Sequence, residues 1–133
     1  MNVSPGKTRK ITGVLGEEVA AKFLVSRGYS IMEKNFRTPF GEIDLIAERD
    51  GCVVFLEVKT RICGRFGPPL SAITREKKRR IVKNCMYYLK MKKILWGPCR
   101  IDAMGIKLDS SMRVETIRYV KNAIEADDTD AFF

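Results

Sequence analysis

The chain has 133 residues, the length of one domain, and enough chain to bury a core without disulfide or metal staples. Its apolar and charged fractions, 45% and 31%, are those of a soluble globular protein, and no apolar run approaches the about 20 residues of a membrane span. The net charge of +9, from 25 Lys and Arg against 16 Asp and Glu, favours a polyanionic partner such as nucleic acid. There is no histidine, and the cysteines at 52, 63, 85 and 99 form no C-x-x-C pair. Ser-His-Asp triads, Cys-His dyads and Cys/His zinc sites of the usual spacing are therefore out. Acid–base or metal chemistry must fall to carboxylates, lysines or tyrosines. The N-terminus is basic and lacks the apolar block of a signal peptide, so a cytoplasmic location is expected.

In chain order, residues 1–11 read as a flexible basic arm, 12–124 as a single domain and 125–133 as an acidic tail holding four of the acids. A helix is predicted from about Thr12 to Arg27, with Gly28 as its stop signal. SIMEKNF, 30–36, resembles a strand, and RTPFG, 37–41, a Pro/Gly turn. EIDLIAE and CVVFLEVKTR form two more strands joined at Asp50-Gly51, a strong signal for a two-residue hairpin. After the loop 64–70, Ser71 or Thr74 can cap a second helix that runs to about Met91. WGP, 96–98, breaks the chain. CRIDAMGIKL and MRVETIRYV are the last two strands. The order α-β-β-β-α-β-β predicts an α/β fold with a mixed sheet of about five strands flanked by helices.

The hairpin register places carboxylates together. A two-residue turn pairs Arg49 with Cys52, and continued pairing sets Asp44 opposite Glu57 and Glu42 opposite Lys59. Period-two alternation then puts all four on one face. Two carboxylates placed so would repel by roughly 3 kcal/mol at an effective dielectric of about 20. A raised pKa, a cation or Lys59 should relieve this. On the first helix, Glu17 shares a stripe with Val14, Ala20, Ala21 and Leu24, the face most suited to pack on the sheet. The bland alternatives are an ordinary cross-strand ion pair for Glu42 with Lys59, and a rim position for Glu17. Glu42 is best read as that structural partner.

An oxygen-rich pocket without histidine or thiolate suits a hard cation, Mg²⁺ or Mn²⁺. With a lysine beside it and a basic body to hold a polyanion, it is a set of parts for phosphodiester hydrolysis. Arg61 extends the charged strand, and Arg37 and Arg65 lie in loops flanking that end. TREKKRR opens the second helix with Lys77, Lys78, Arg79 and Arg80, a run that is equally a solvated face. Tyr87, Tyr88, Phe66 and Trp96 could stack bases, although core packing is the simpler role. Asp102 reads as a structural acid paired with Arg100 or another basic residue.

These residues carry a resemblance. The pattern Asp44, Glu57, Lys59, with twelve residues between the two acids, is similar to the core of the PD-(D/E)-x-K nuclease superfamily. The chain resembles more closely the YraN-like family of small, largely uncharacterised bacterial proteins. The matching pieces are GxxGEExAAxxL at 13–24, the strand–turn–strand at 41–61, RFG at 65–67, TREKKRRI at 74–81 and RID at 100–102. Ile43 stands where the literal motif has proline. The resemblance implies a restriction endonuclease-like fold, with Glu17, Asp44, Glu57 and Lys59 as catalytic residues. Glu17, Asp44 and Glu57 would be the metal ligands, and Glu17 matches the helix glutamate of archaeal Holliday junction resolvases. Arg37, Arg61, Arg65, Lys77, Arg79 and Arg80 are the candidate phosphate contacts. The expected function is a metal-dependent endonuclease acting on DNA by structure rather than sequence; the alternative is a non-catalytic nucleic-acid-binding protein on the same scaffold. No membrane partner is expected. Enzymes that cut two strands often work as symmetric dimers, so a homodimer is plausible.

Overall fold

Asp50 and Gly51 both take positive φ, 51° and 77°, the backbone that a type I′ hairpin turn requires. The pair Arg49–Cys52 closes next to them, as the sequence predicts. Around this turn, the computed structural model describes residues 5–62 (backbone alone for 5–10), 73–94 and 97–124. The elements are α1 (Pro5–Ser26), β1 (Ser30–Thr38), β2 (Gly41–Arg49), β3 (Cys52–Ile62), α2 (Arg75–Met91), β4 (Cys99–Leu108) and β5 (Val114–Ile124). One sheet runs in the order β1-β2-β3-β4-β5. All neighbours are antiparallel except β3 and β4, which are parallel and joined through α2. This is the expected α/β, restriction endonuclease-like arrangement.

Each face of the sheet is covered by one helix. Ala20, Ala21 and Leu24 of α1 pack on Leu45, Ala47, Val54, Leu56, Met104 and Ile106. On the other face, Ile81, Val82, Cys85 and Tyr88 of α2 pack on Ile43, Ile46, Phe55 and Ile101. The central strands are thus apolar on both sides. Residues of the two clusters alternate along β3, from Val54 through Phe55 to Leu56. Tyr88, one of the candidate stacking residues, belongs to this core; its ring meets Phe36 and Phe55 edge-on at 5.1 and 5.8 Å. Tyr87 is exposed, and Phe66 and Trp96 lie outside the described residues.

The helix ends follow their local chemistry. Gly28 has φ 86°, and the Tyr29 N–H returns to the Leu24 carbonyl at 3.0 Å, closing α1. Thr74 caps α2 by accepting the Lys77 N–H at 3.1 Å. One boundary differs from expectation: α1 begins at Pro5, two turns before the predicted start at Thr12. Proline suits a first helical turn, but PGKTRK has no apolar periodicity to announce a helix. The acidic segment 125–133 lies outside the described residues.

Among the described residues, Cys85 is buried, Cys52 half-buried and Cys99 exposed, and these three are free; Cys63 lies outside the described residues. Among the described residues, no helix is long and apolar enough to cross a membrane.

Candidate metal centre

The β2–β3 ladder runs from the turn to the pair Leu45–Leu56 and ends there. Beyond it, the Asp44 side chain replaces the backbone partner: Oδ2 accepts the Val58 N–H at 2.7 Å. The expected cross-strand pairs of Asp44 with Glu57 and of Glu42 with Lys59 are therefore not part of the ladder. β1 is irregular at the same level. Lys34–Leu45 and Phe36–Ile43 are register partners, so Asn35 faces Asp44. Asn35 has φ 51°, a left-handed kink inside a strand, which asparagine tolerates better than most residues. Alternation breaks at the same level. Leu45 packs beneath α1, whereas Ile43 packs with Ile46 and Phe55 toward α2.

Three carboxylates gather at this break. Oxygens of Glu17, Glu42 and Asp44 lie within 4.8 Å of one another. Glu42 corrects the sequence reading, which set it aside as a partner for Lys59. In the structure it stands with the acids instead, its backbone opposite Arg37 of β1. Glu17 reaches the group because α1 comes very close to β3. A Cβ on Gly16 would sit 1.7 Å from Thr60 Oγ1, so glycine at 16 permits the approach that brings its neighbour in. The Asn35 side chain hydrogen-bonds Glu17, so the kinked residue also orients the helix acid.

Glu57 forms the other half of the site. Its Oε1 is 3.4 Å from Lys59 Nζ and 3.8 Å from Lys77 Nζ. The sequence reading grouped Glu57 with Glu17 and Asp44 as ligands; its carboxylate instead engages two ammonium groups, outside the set of mutually close oxygens. Lys77 comes from the first turn of α2, which the Thr74 cap fixes.

Burial, then the charges of Glu57 and Glu17, push the Asp44 carboxyl up to about 7, against the opposing Val58 N–H and Lys59. Burial also raises Glu17, aided by Glu42 and opposed by Asn35. For Lys59, burial acts to lower the pKa, but its hydrogen bond with Lys77 and the carboxylates of Glu57 and Asp44 outweigh this and raise it. Lys77 moves the other way: burial and the neighbouring Lys59 depress it, against Glu57 and Asp44. Of two adjacent amines, the structure thus favours the proton on Lys59.

The remaining basic residues are spread around this centre. Arg37 is exposed near the end of β1, Arg61 is half-buried on β3 two residues past Lys59, and Arg79 and Arg80 are exposed on α2. Arg65 lies outside the described residues. Asp102 is fully buried and structural, as expected. It accepts from Arg100 Nε at 3.0 Å, the Asn122 N–H at 2.8 Å and the Tyr119 hydroxyl. Sequence reasoning missed Asn35 and Asn84 as well as Glu42. Asn84 is a buried amide of α2 whose Oδ1 accepts the Thr38 hydroxyl and so ties down the turn leading into Glu42. Its one outward sign is an asparagine within the apolar stripe of a helix.

A model of the family described as "Uncharacterised protein family UPF0102" matches residues 16–106, which include every acid and lysine of the site. Among curated relatives, a UPF0102 protein of Moorella thermoacetica is 37% identical over 116 residues, 87% of this chain and 97% of the relative. One from Clostridium perfringens is 38% identical over 117 residues, 88% and 96% of the two chains. Another from Dictyoglomus turgidum is 40% identical over 114 residues, 86% and 97%. Among solved structures, Pyrococcus furiosus SfsA in complex with Ca²⁺ is similar at a TM-score of 0.41 and 16% identity. The match covers 88% of this chain and 65% of that one.

Proposed function

The chain belongs to the uncharacterised protein family UPF0102, the YraN-like family of its sequence motifs, and we propose that it is a divalent-metal-dependent endonuclease-like protein that hydrolyses phosphodiester bonds of DNA. Selection is by substrate structure rather than base sequence. The observation that carries this reading is the convergence of Glu17, Glu42, Asp44, Glu57, Lys59 and Lys77 where the β2–β3 ladder ends, in a chain of charge +9.

The residues fit a hard cation. Three carboxylate oxygens within 4.8 Å form an all-oxygen donor set, and an Asp44 pKa pushed up to about 7 is the penalty a cation would relieve. Asp44, Glu17 and Glu42 would hold Mg²⁺ or Mn²⁺, with Glu57 beside them on its two lysines. Such a cation supplies Lewis acidity, screening phosphate charge and lowering the pKa of water. The chain's own residues do the rest. Lys59 keeps its ammonium beside Glu57 and stabilises the negative charge that builds on the phosphate oxygens. Glu57 orients Lys59, and Asn35 orients Glu17. Arg37, Arg61, Arg65, Lys77, Arg79 and Arg80 hold backbone phosphates, giving affinity without sequence information. One observation favours a second reading, a nucleic-acid-binding protein that does not cut: Glu57 is already engaged by two lysines.

The test is incubation of the full chain with branched, flap, single-stranded and duplex DNA in Mg²⁺ or Mn²⁺. Cleavage that chelator and the Asp44→Ala/Glu57→Ala variant both abolish supports the nuclease. Tight, salt-sensitive binding that survives both, without cleavage, supports the second reading.

A further inference from the structure

Phe40 is 46% exposed and lies two residues before Glu42, in the turn between β1 and β2. A single exposed apolar side chain needs no explanation, but this one is held in place. Its N–H donates to Thr38 Oγ1 at 3.0 Å, and the Thr38 hydroxyl donates to the buried Asn84 of α2. Gly41, next in the chain, has φ 146°, and a Cβ there would meet Asn84 Nδ2 at 3.3 Å. The turn is thus clamped against α2, with the ring on its outer side.

One cation lies over the ring, and two more follow nearby in the elements that frame the turn. Lys83 Nζ is 5.7 Å from its centroid. Arg80, exposed on α2, stands three residues before Lys83 and shares its side of the helix. Arg37 is exposed three residues before Phe40. Single-strand binders combine a charged track for the backbone with an aromatic face for a base. A paired base in a duplex has both faces occupied by its neighbours and offers none to a ring.

We propose that Phe40 stacks on an unpaired base of the nucleic acid strand whose backbone passes the carboxylate cluster. This rests on the nucleic-acid reading above and narrows it to strands with unpaired nucleotides, such as flaps, branches and single strands.

The experiment measures equilibrium binding of the full chain, in chelator so that nothing is cut, to a labelled single strand and to a blunt duplex of equal length. Wild type is compared with Phe40→Ala and Phe40→Trp across a salt series. Phe40→Ala is expected to weaken single-strand binding by about 5- to 150-fold, the range given by losing one stacked base. Duplex affinity and the salt slope should stay unchanged, and Phe40→Trp should bind the single strand as wild type does. The proposal is overturned if Phe40→Ala binds the single strand like wild type, weakens both forms equally, or if wild type binds neither form. Failure of the nuclease reading looks different: binding and its Phe40 dependence persist, and no substrate is cut when metal is restored.

Discussion

Asp44→Asn should make the metal-free protein more stable, and by more at high pH than at low. Burial, Glu57 and Glu17 raise the Asp44 carboxyl from 3.8 to about 7 in the folded chain. A native pKa above the unfolded value means that the fold binds the proton more tightly. Stability is therefore full below the unfolded value and falls as pH rises toward the native one. The gap corresponds to a penalty of about 4 kcal/mol at pH 8 and about 2 kcal/mol at pH 5. Asparagine cannot ionise, yet it keeps an oxygen to accept the Val58 N–H. Any fixed packing cost of the substitution cancels between the two pH values, leaving a difference of about 2–3 kcal/mol as the decisive quantity. Urea unfolding in chelator at pH 5 and pH 8 reads it, provided the two proteins share one m value. Adding Mn²⁺ at pH 8 should then stabilise wild type and leave Asp44→Asn nearly unmoved. A stability difference that stays constant or shrinks from pH 5 to pH 8 would refute the electrostatic account of Asp44.

Three further substitutions probe the scaffold. Gly16→Ala drives a methyl group into Thr60, 1.7 Å from Oγ1 and 2.8 Å from Cβ. It should cost about 1–3 kcal/mol in urea unfolding and weaken Mn²⁺ binding by shifting Glu17. Asp102→Ala strands the half-buried Arg100 and should cost about 3–5 kcal/mol by the same measurement. Lys93 closes α2 at φ 58° with the Ile94 N–H on the Leu89 carbonyl; Lys93→Gly should raise stability by about 1 kcal/mol.

Local chemistry written in the sequence survived folding. Asp50-Gly51 dictated the hairpin and its register through Leu45–Leu56 because both residues accept positive φ. The Thr74 cap, the Gly28 stop and the pairing of Asp102 with Arg100 follow from similarly short-range rules. The site's composition was legible in part. Glu17 was placed by helical periodicity, and Lys59 beside Glu57 by strand spacing. What failed was the extrapolation of a regular ladder. Asn35 kinks β1, Ile43 turns to the α2 side, and Glu42 leaves Lys59 for the acids. Period-two counting assumes an unbroken pleat, and Leu45 and Ile43, two residues apart, pack on opposite faces of the sheet. Asn84 escaped notice because its role depends on a contact with Thr38, 46 residues away in the chain.

In the proposed function, this cluster cuts a phosphodiester backbone, with Lys59 acting on the phosphate rather than holding the metal. Single-turnover cleavage in Mn²⁺, on whichever DNA form wild type cuts fastest, compared with Lys59→Met, tests it most directly. Lys59→Met should still bind Mn²⁺ in calorimetry but cut at least about 100-fold more slowly than wild type. A wild-type rate no greater than that of Lys59→Met, on every form of DNA, would contradict it.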